Sequence, residues 1–263
     1  MRYHVIDELL TYLFNGQPHN LATPMETWLA SSRRFTVFVT TFRTKIRKKL
    51  RTTQEMESLL DLRLELETAY LLLQERSLGL VYEPLPIGQS RGPDFAVTFT
   101  TSTIFMVEVT RLRMVQDGTQ DLAQIQGQAS SPHTTPIRSL VEERLADMVC
   151  SKLGQLQLQH GNILLVGVEV PRFTQDTLRA AMLQLQQRAE RNDATIVQGR
   201  GFRDRADFFN HFQRLSELLV CGSRLQAGEP VISWVNSQAK YPLPSKVRNA
   251  LYRSLNINRL SHN

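Results

Sequence analysis

The sequence predicts an α/β layer fold with a helical N-terminal extension, and three features of its patterning predict it. Over the first 76 residues, apolar side chains recur at intervals of three and four, the period of an amphipathic helix. Beyond Gly79 the pattern changes to short β-branched and aromatic runs bounded by turn-forming residues. Further on, an apolar run at 163–170 (ILLVGVEV) follows a helical stretch, as expected for a strand buried on both faces.

The elements follow in order. Helices are expected at about 3–15, 24–52 and 54–76. In the second, Phe35, Phe38, Phe42, Ile46 and Leu50 form an apolar stripe among basic residues. In the third, the inward line is Leu59, Leu62, Leu66, Ala69 and Leu73, and Gly79 ends the helical signal. Strands are expected at 80–84, 94–99 and 104–110, joined by GQSRGP and TTST, stretches of hairpin-compatible length. Residues 114–136 are rich in Gln, Gly, Ser, Thr and Pro and read as a mobile loop. A helix at 137–159 leads to the strand 163–170 and a helix at 174–191. The remainder reads as a short strand in TIVQG, a helix at 204–220, an edge strand at 230–235 and a last helix at 244–255. No internal repeat occurs. The order is a helical prefix, then α-β-β-β-α-β, then a mixed tail.

Composition narrows the function. The chain has 263 residues, 41% of them hydrophobic, which excludes wholesale disorder and leaves ample length for a core. Its two cysteines, Cys150 and Cys221, lie in apolar stretches, so a disulfide framework is excluded. A four-ligand zinc site would need His or acids to complete it, and the six histidines form no close ligand pair. No apolar run approaches the roughly 18–20 residues of a membrane span, and Asp7 and Glu8 interrupt any signal-peptide-like segment, so a reducing cytoplasm is the expected compartment. Gly-rich phosphate loops, Gly-x-Ser-x-Gly and His-Glu-x-x-His are all missing from the sequence.

The net charge of +6 understates a local excess. No acid lies between Glu26 and Glu55, while Arg33, Arg34, Arg43, Lys45, Arg47, Lys48, Lys49 and Arg51 all fall there. Such a stripe attracts polyanions through its field and through counterion release, although a charge run is also what a solvated helix face looks like. Arg200, Arg203 and Arg205 make a second candidate phosphate-contact group. His211, among phenylalanines, reads as a core or edge residue.

The chemistry-bearing stretch is Pro93-Asp94 … Glu108-Val109-Thr110. On a strand over 104–110, Ile104, Met106, Glu108 and Thr110 share one face, and Phe105, Val107 and Val109 the other. A carboxylate there is costly unless paired or bound to a cation. Hairpin pairing places Asp94 beside Glu108. Two carboxylates on adjacent strands offer the hard oxygens that Mg²⁺ prefers. The competing readings are a Pro-Asp turn, and a Glu108 paired with Arg111 or Arg113.

The order helix acid, strand, Pro-Asp, strand, Glu-x-Lys, helix resembles the PD-(D/E)XK nuclease superfamily, whose fold is restriction-endonuclease-like. The similarity covers residues 59 to 170. It divides the chain into a basic helical extension, 1–57, and a PD-(D/E)XK-like α/β domain with a mixed C-terminal tail, 58–263. It implies that Asp94 and Glu108 hold the metal, Mg²⁺ or alternatively Mn²⁺. Thr110 stands where the family has its lysine. Lys152 is the candidate replacement, because it falls on the inward line Val141, Leu145, Met148 or Val149, Lys152, Leu156, with Gln155 one turn on. Snorkelling to solvent is its competing reading. For the helix acid, Glu65 is preferred to Glu67, which is expected to point further out. The function implied is metal-dependent hydrolysis of phosphodiester bonds in DNA. Arg43, Lys45, Arg47, Lys48, Lys49 and Arg51 would grip the backbone, and a homodimer would suit the cutting of two strands. The rival is a catalytically silent module that binds nucleic acid or a protein partner.

Overall fold

The computed structural model describes residues 2–53, 55–85, 92–113, 137–169, 173–196, 199–222, 225 and 231–256. The region 114–136, expected to be a loop, lies outside them.

Four helices open the chain: α1 (Arg2–Phe14), α2 (Ala22–Ser31), α3 (Arg33–Thr52) and α4 (Met56–Leu72). The expected single helix over 24–52 is two. Ser32 is extended (φ −128°, ψ 110°) and breaks the run, and its hydroxyl accepts the Phe35 N–H at 3.2 Å, capping α3. The break was hidden because Ser31-Ser32 carries neither Gly nor Pro. The α3 stripe is as expected: Phe35, Phe38, Ile46 and Leu50 are buried, and Phe42 sits half-buried at a kink. Where α4 ends, the Arg34 guanidinium reaches across and donates to the carbonyls of Leu73 and Glu75, both at 2.7 Å, and of Leu78. It thereby ties α3 to the turn that leads from α4 into the first strand.

Next come β1 (Leu78–Tyr82), β2 (Phe95–Phe99), β3 (Thr103–Leu112), α5 (Ile137–Leu153), β4 (Gly161–Val168), α6 (Gln175–Glu190), α7 (Arg205–Phe212), β5 (Leu215–Gly222), β6 (Ile232–Val235) and α8 (Ser245–Ser254). The strands form one mixed sheet in chain order. β1, β2 and β3 pair antiparallel, β3, β4 and β5 parallel, and β6 returns antiparallel on β5.

Two expectations fail in the tail. The helix over 204–220 stops at Phe212, and Leu215–Gly222 is the inner strand β5. Phe208, Phe212, Leu215 and Leu219 keep helical spacing across that junction, so periodicity alone ran the two elements together. Tertiary partners make the break: the Asn236 amide donates to the carbonyls of Phe212 (3.0 Å) and Leu215 (2.9 Å), and the Lys240 N–H bonds Gln213 O (2.8 Å). In TIVQG the described residues 195 and 196 are turn, not strand.

The sheet is sandwiched. One apolar cluster unites α1–α4 and α8 with Phe95, Val107, Ile163 and Leu165, and a second unites α5–α7 with Leu164, Val166, Leu218 and Val220. Gly167 lets α4 come close. A Cβ there would stand 2.7 Å from Leu64 Cδ2 and 3.2 Å from Arg111 Cγ. Buried Glu217 on β5 ties α8 down, through Arg248 Nε at 3.2 Å and the Tyr252 hydroxyl. Cys150 and Cys221 are buried thiols, not joined in a disulfide. Among the described residues no helix is long and apolar enough to cross a membrane.

Candidate functional site

The β2–β3 register builds the site. Phe95 lies opposite Val107, so the next pair outward is Asp94 and Glu108. On the other side Tyr82 lies opposite Phe95, and one step further Glu83 N–H donates to Asp94 O at 2.7 Å. Glu83, Asp94 and Glu108 thus occupy one row at the end of three strands. Pro93, buried and without an N–H, stops the ladder beyond them.

Asp94 is half-buried, and its Oδ2 accepts the Val109 N–H at 2.7 Å. Loss of hydration, then the charges of Glu65 and Glu108, hold its carboxyl well above the usual carboxylate range.

Glu108 is buried on the face shared with Leu164 and Leu218, and α5 passes over that face. Lys152 Nζ lies 2.8 Å from Glu108 Oε1, with Gln155 Oε1 at 3.5 Å. The lysine side chain is 15% exposed, so it turns inward rather than snorkelling. Arg111 and Arg113 leave Glu108 alone: Arg111 pairs with Glu57, Asp61 and Glu169, and Arg113 with Asp61. Thr110, two residues on, is half-buried. Asn162 anchors the α5–β4 connection, accepting Gln157 N–H and donating to the carbonyls of Gln157, His160 and Arg214 within 3.0 Å.

From the opposite face α4 presents Glu65, which is buried. Glu67, expected to point outward, is buried as well, and its Oε2 accepts the Leu225 N–H at 3.1 Å. Glu65 is held by Lys49 of α3, at 2.7 and 3.0 Å from its two oxygens; Lys49 also bonds Glu83 Oε1 at 2.9 Å and lies 5.1 Å from the Tyr82 ring centre. Burial works against the Lys49 charge, but Glu65 and then Glu83 outweigh it and raise the ammonium above its ordinary value. The Tyr82 hydroxyl is buried without a well-formed hydrogen bond. Burial, then the Glu65 charge, push it above the usual phenol range.

Lys49 is thus shared by Glu65 and Glu83, Lys152 pairs with Glu108, and Asp94 lies close enough to feel the charges of Glu65 and Glu108. Glu83 and Tyr82 were missed as site residues, and Lys49, expected to grip phosphate, is instead seated on Glu65 and Glu83. The available signal was that Lys49 continues the line Phe42, Ile46 at spacings of four and three, the same cue that singled out Lys152. Among the described residues, no three or more His, Cys, Asp or Glu side chains gather into a metal-binding group.

The basic helix divides into two sets. Lys45 turns in to the carbonyls of Tyr82 (3.0 Å) and Glu83 (2.9 Å), as Lys49 turns to its carboxylates. Arg43, Lys48 and Arg51 are exposed, and Arg43 and Arg47 lie over the Tyr12 ring at 5.3 and 4.4 Å. In the late stretch Arg200 pairs with Asp147 and Arg203 with Asp207, while Arg205 is exposed. His211 packs on Phe202 at 5.3 Å.

Comparison of the chain with family models, with curated proteins and with solved structures gave no significant match.

Proposed function

We propose that the chain is a Mg²⁺-dependent nuclease, able to use Mn²⁺, that hydrolyses phosphodiester bonds in DNA on a restriction-endonuclease-like core. The observation that carries this reading is the pairing of Asp94 and Glu108 at one register position, with an inward lysine on Glu108. The donor set fits the ion. Mg²⁺ is commonly held by one or two carboxylates, completed by water and substrate phosphates, so a three-ligand protein cage is not required. No hydrogen bond among the described residues engages Asp94 Oδ1, and the two neighbouring carboxylates make a cation there favourable.

Asp94 and Glu108 would hold the ion, with Glu65 assisting. When bound, it would polarise the phosphodiester and acidify an attacking water. Lys152 would orient that water through its remaining N–H, while Glu108 and Gln155 accept from the same ammonium group and hold it in place. Lys48, Arg51 and Arg43 would contact backbone phosphates, which positions DNA without reading sequence.

A second reading, a silent module that binds nucleic acid or protein, is favoured by Thr110 at the family's lysine position and by the lysines already seated on Glu65 and Glu108. Cleavage of plasmid DNA with Mg²⁺ separates the two. The nuclease cuts, and Asp94→Ala and Lys152→Ala abolish cutting; absence of cutting in every variant favours the silent module. Charge reversal at Lys48 and Arg51 should weaken DNA binding about tenfold and reduce the salt slope by about two in either case.

A further inference from the structure

Lys49 belongs to the stretch of α3 expected to hold phosphate, yet the fold places its ammonium inside the acidic cluster. Nζ reaches both Glu65 oxygens and Glu83 Oε1, all within 3.0 Å, and lies against the Tyr82 ring. Three acceptors match the three N–H donors of an ammonium group, so Lys49 has nothing left to offer a phosphate in this arrangement. Its side chain is nevertheless 29% exposed, beside Lys48 on the solvent face of the same turn. A flexible four-carbon stem spans both positions without any change in the helix.

Building on the metal reading above, we propose that Lys49 is a displaceable counter-ion of the site. It offsets the negative charge shared by Glu65 and Glu83 while no divalent ion is present. An ion entering beside Asp94 competes with it for Glu65 and releases its ammonium to the phosphate-facing surface of α3. The charges argue for competition rather than support: two cations drawn to one carboxylate exclude each other at close range. Arg34 offers a contrast, because it is locked to three carbonyls that no ion would contest. Metal and DNA binding are then coupled through one side chain, and the coupling is reciprocal. With metal bound, the salt slope of DNA binding steepens by about one phosphate contact.

Calorimetric titration of Mn²⁺ into wild type, Lys49→Met and Lys49→Arg tests this, with melting curves in chelator and in Mn²⁺. Lys49→Met should bind Mn²⁺ about tenfold more tightly, within the usual range of coupling between sites. It should also melt lower than wild type in chelator and recover in Mn²⁺. Lys49→Arg, whose planar fork grips a carboxylate with two bonds, should bind the ion several-fold more weakly. It serves as the decisive variant if Lys49→Met fails to fold. Binding by Lys49→Met alone would also support the proposal. Mn²⁺ affinities equal to wild type in both variants would make Lys49 a structural ion pair and leave the nuclease reading standing. No binding by wild type or any variant would overturn both.

Discussion

Asp94→Asn is expected to abolish DNA cleavage and, in the absence of divalent ions, to melt at a higher temperature than the wild type. The loss of activity should be at least ~10²-fold, the scale on which removal of one electrostatic stabiliser of a transition state is felt. The gain in stability has the same origin. Asp94 sits against Glu65 and Glu108 with reduced hydration, so its charged form is penalised in the folded protein. Asn keeps the acceptor for Val109 N–H and carries no charge. The sign with pH follows from linkage. The folded pKa lies above the unfolded value of about 3.9, so the penalty develops as pH rises through that interval and is complete above the folded pKa. The melting difference should therefore be largest at neutral or higher pH and vanish toward about pH 4. In a domain of this size each kcal/mol amounts to ~2–4 °C. Calorimetric melts across that range check the pattern; an Asn variant less stable than wild type at neutral pH would contradict it.

The second large effect falls on the other face of the sheet. Lys152→Met should destabilise the protein by about 3 kcal/mol, the lower end for breaking one side of a buried ion pair, since water reaches the 15% of the lysine that is exposed. That corresponds to a fall of ~6–12 °C. The cost arises because Glu108, only 8% exposed, is left charged without a partner. Lys152→Met/Glu108→Gln should recover most of it, giving a clear coupling energy in the double-mutant cycle. Additive losses would mean that the contact carries no energy. Neither the single nor the double variant should cleave DNA.

Much of this was legible in the sequence, for physical reasons specific to each element. The β4 run is buried on both faces because it lies between two parallel neighbours, and that demand writes itself as uninterrupted apolar residues. Asp94 and Glu108 were legible because hairpin pairing is local and strand period fixes the face. Lys152 stood out as a cation on an apolar line. What stayed hidden depended on contacts distant in sequence. Asn236 separates α7 from β5 from more than twenty residues away, and nothing in the Phe208–Leu219 spacing records it. Glu67 is buried because the backbone at Leu225 comes to it. Lys49 merged into a basic run in which its neighbours Lys48 and Arg51 face solvent, so its pairing with Glu65 required the placement of α3 across α4.

Calorimetric titration of Mg²⁺ and Mn²⁺ into the wild type and into an Asp94→Ala/Glu108→Ala double variant tests the proposed metal pair most directly. Saturable binding to the wild type that disappears in the variant is the expected result. Failure of the wild type to bind either ion, with DNA present as well as without it, would contradict a metal centre at this pair of strands.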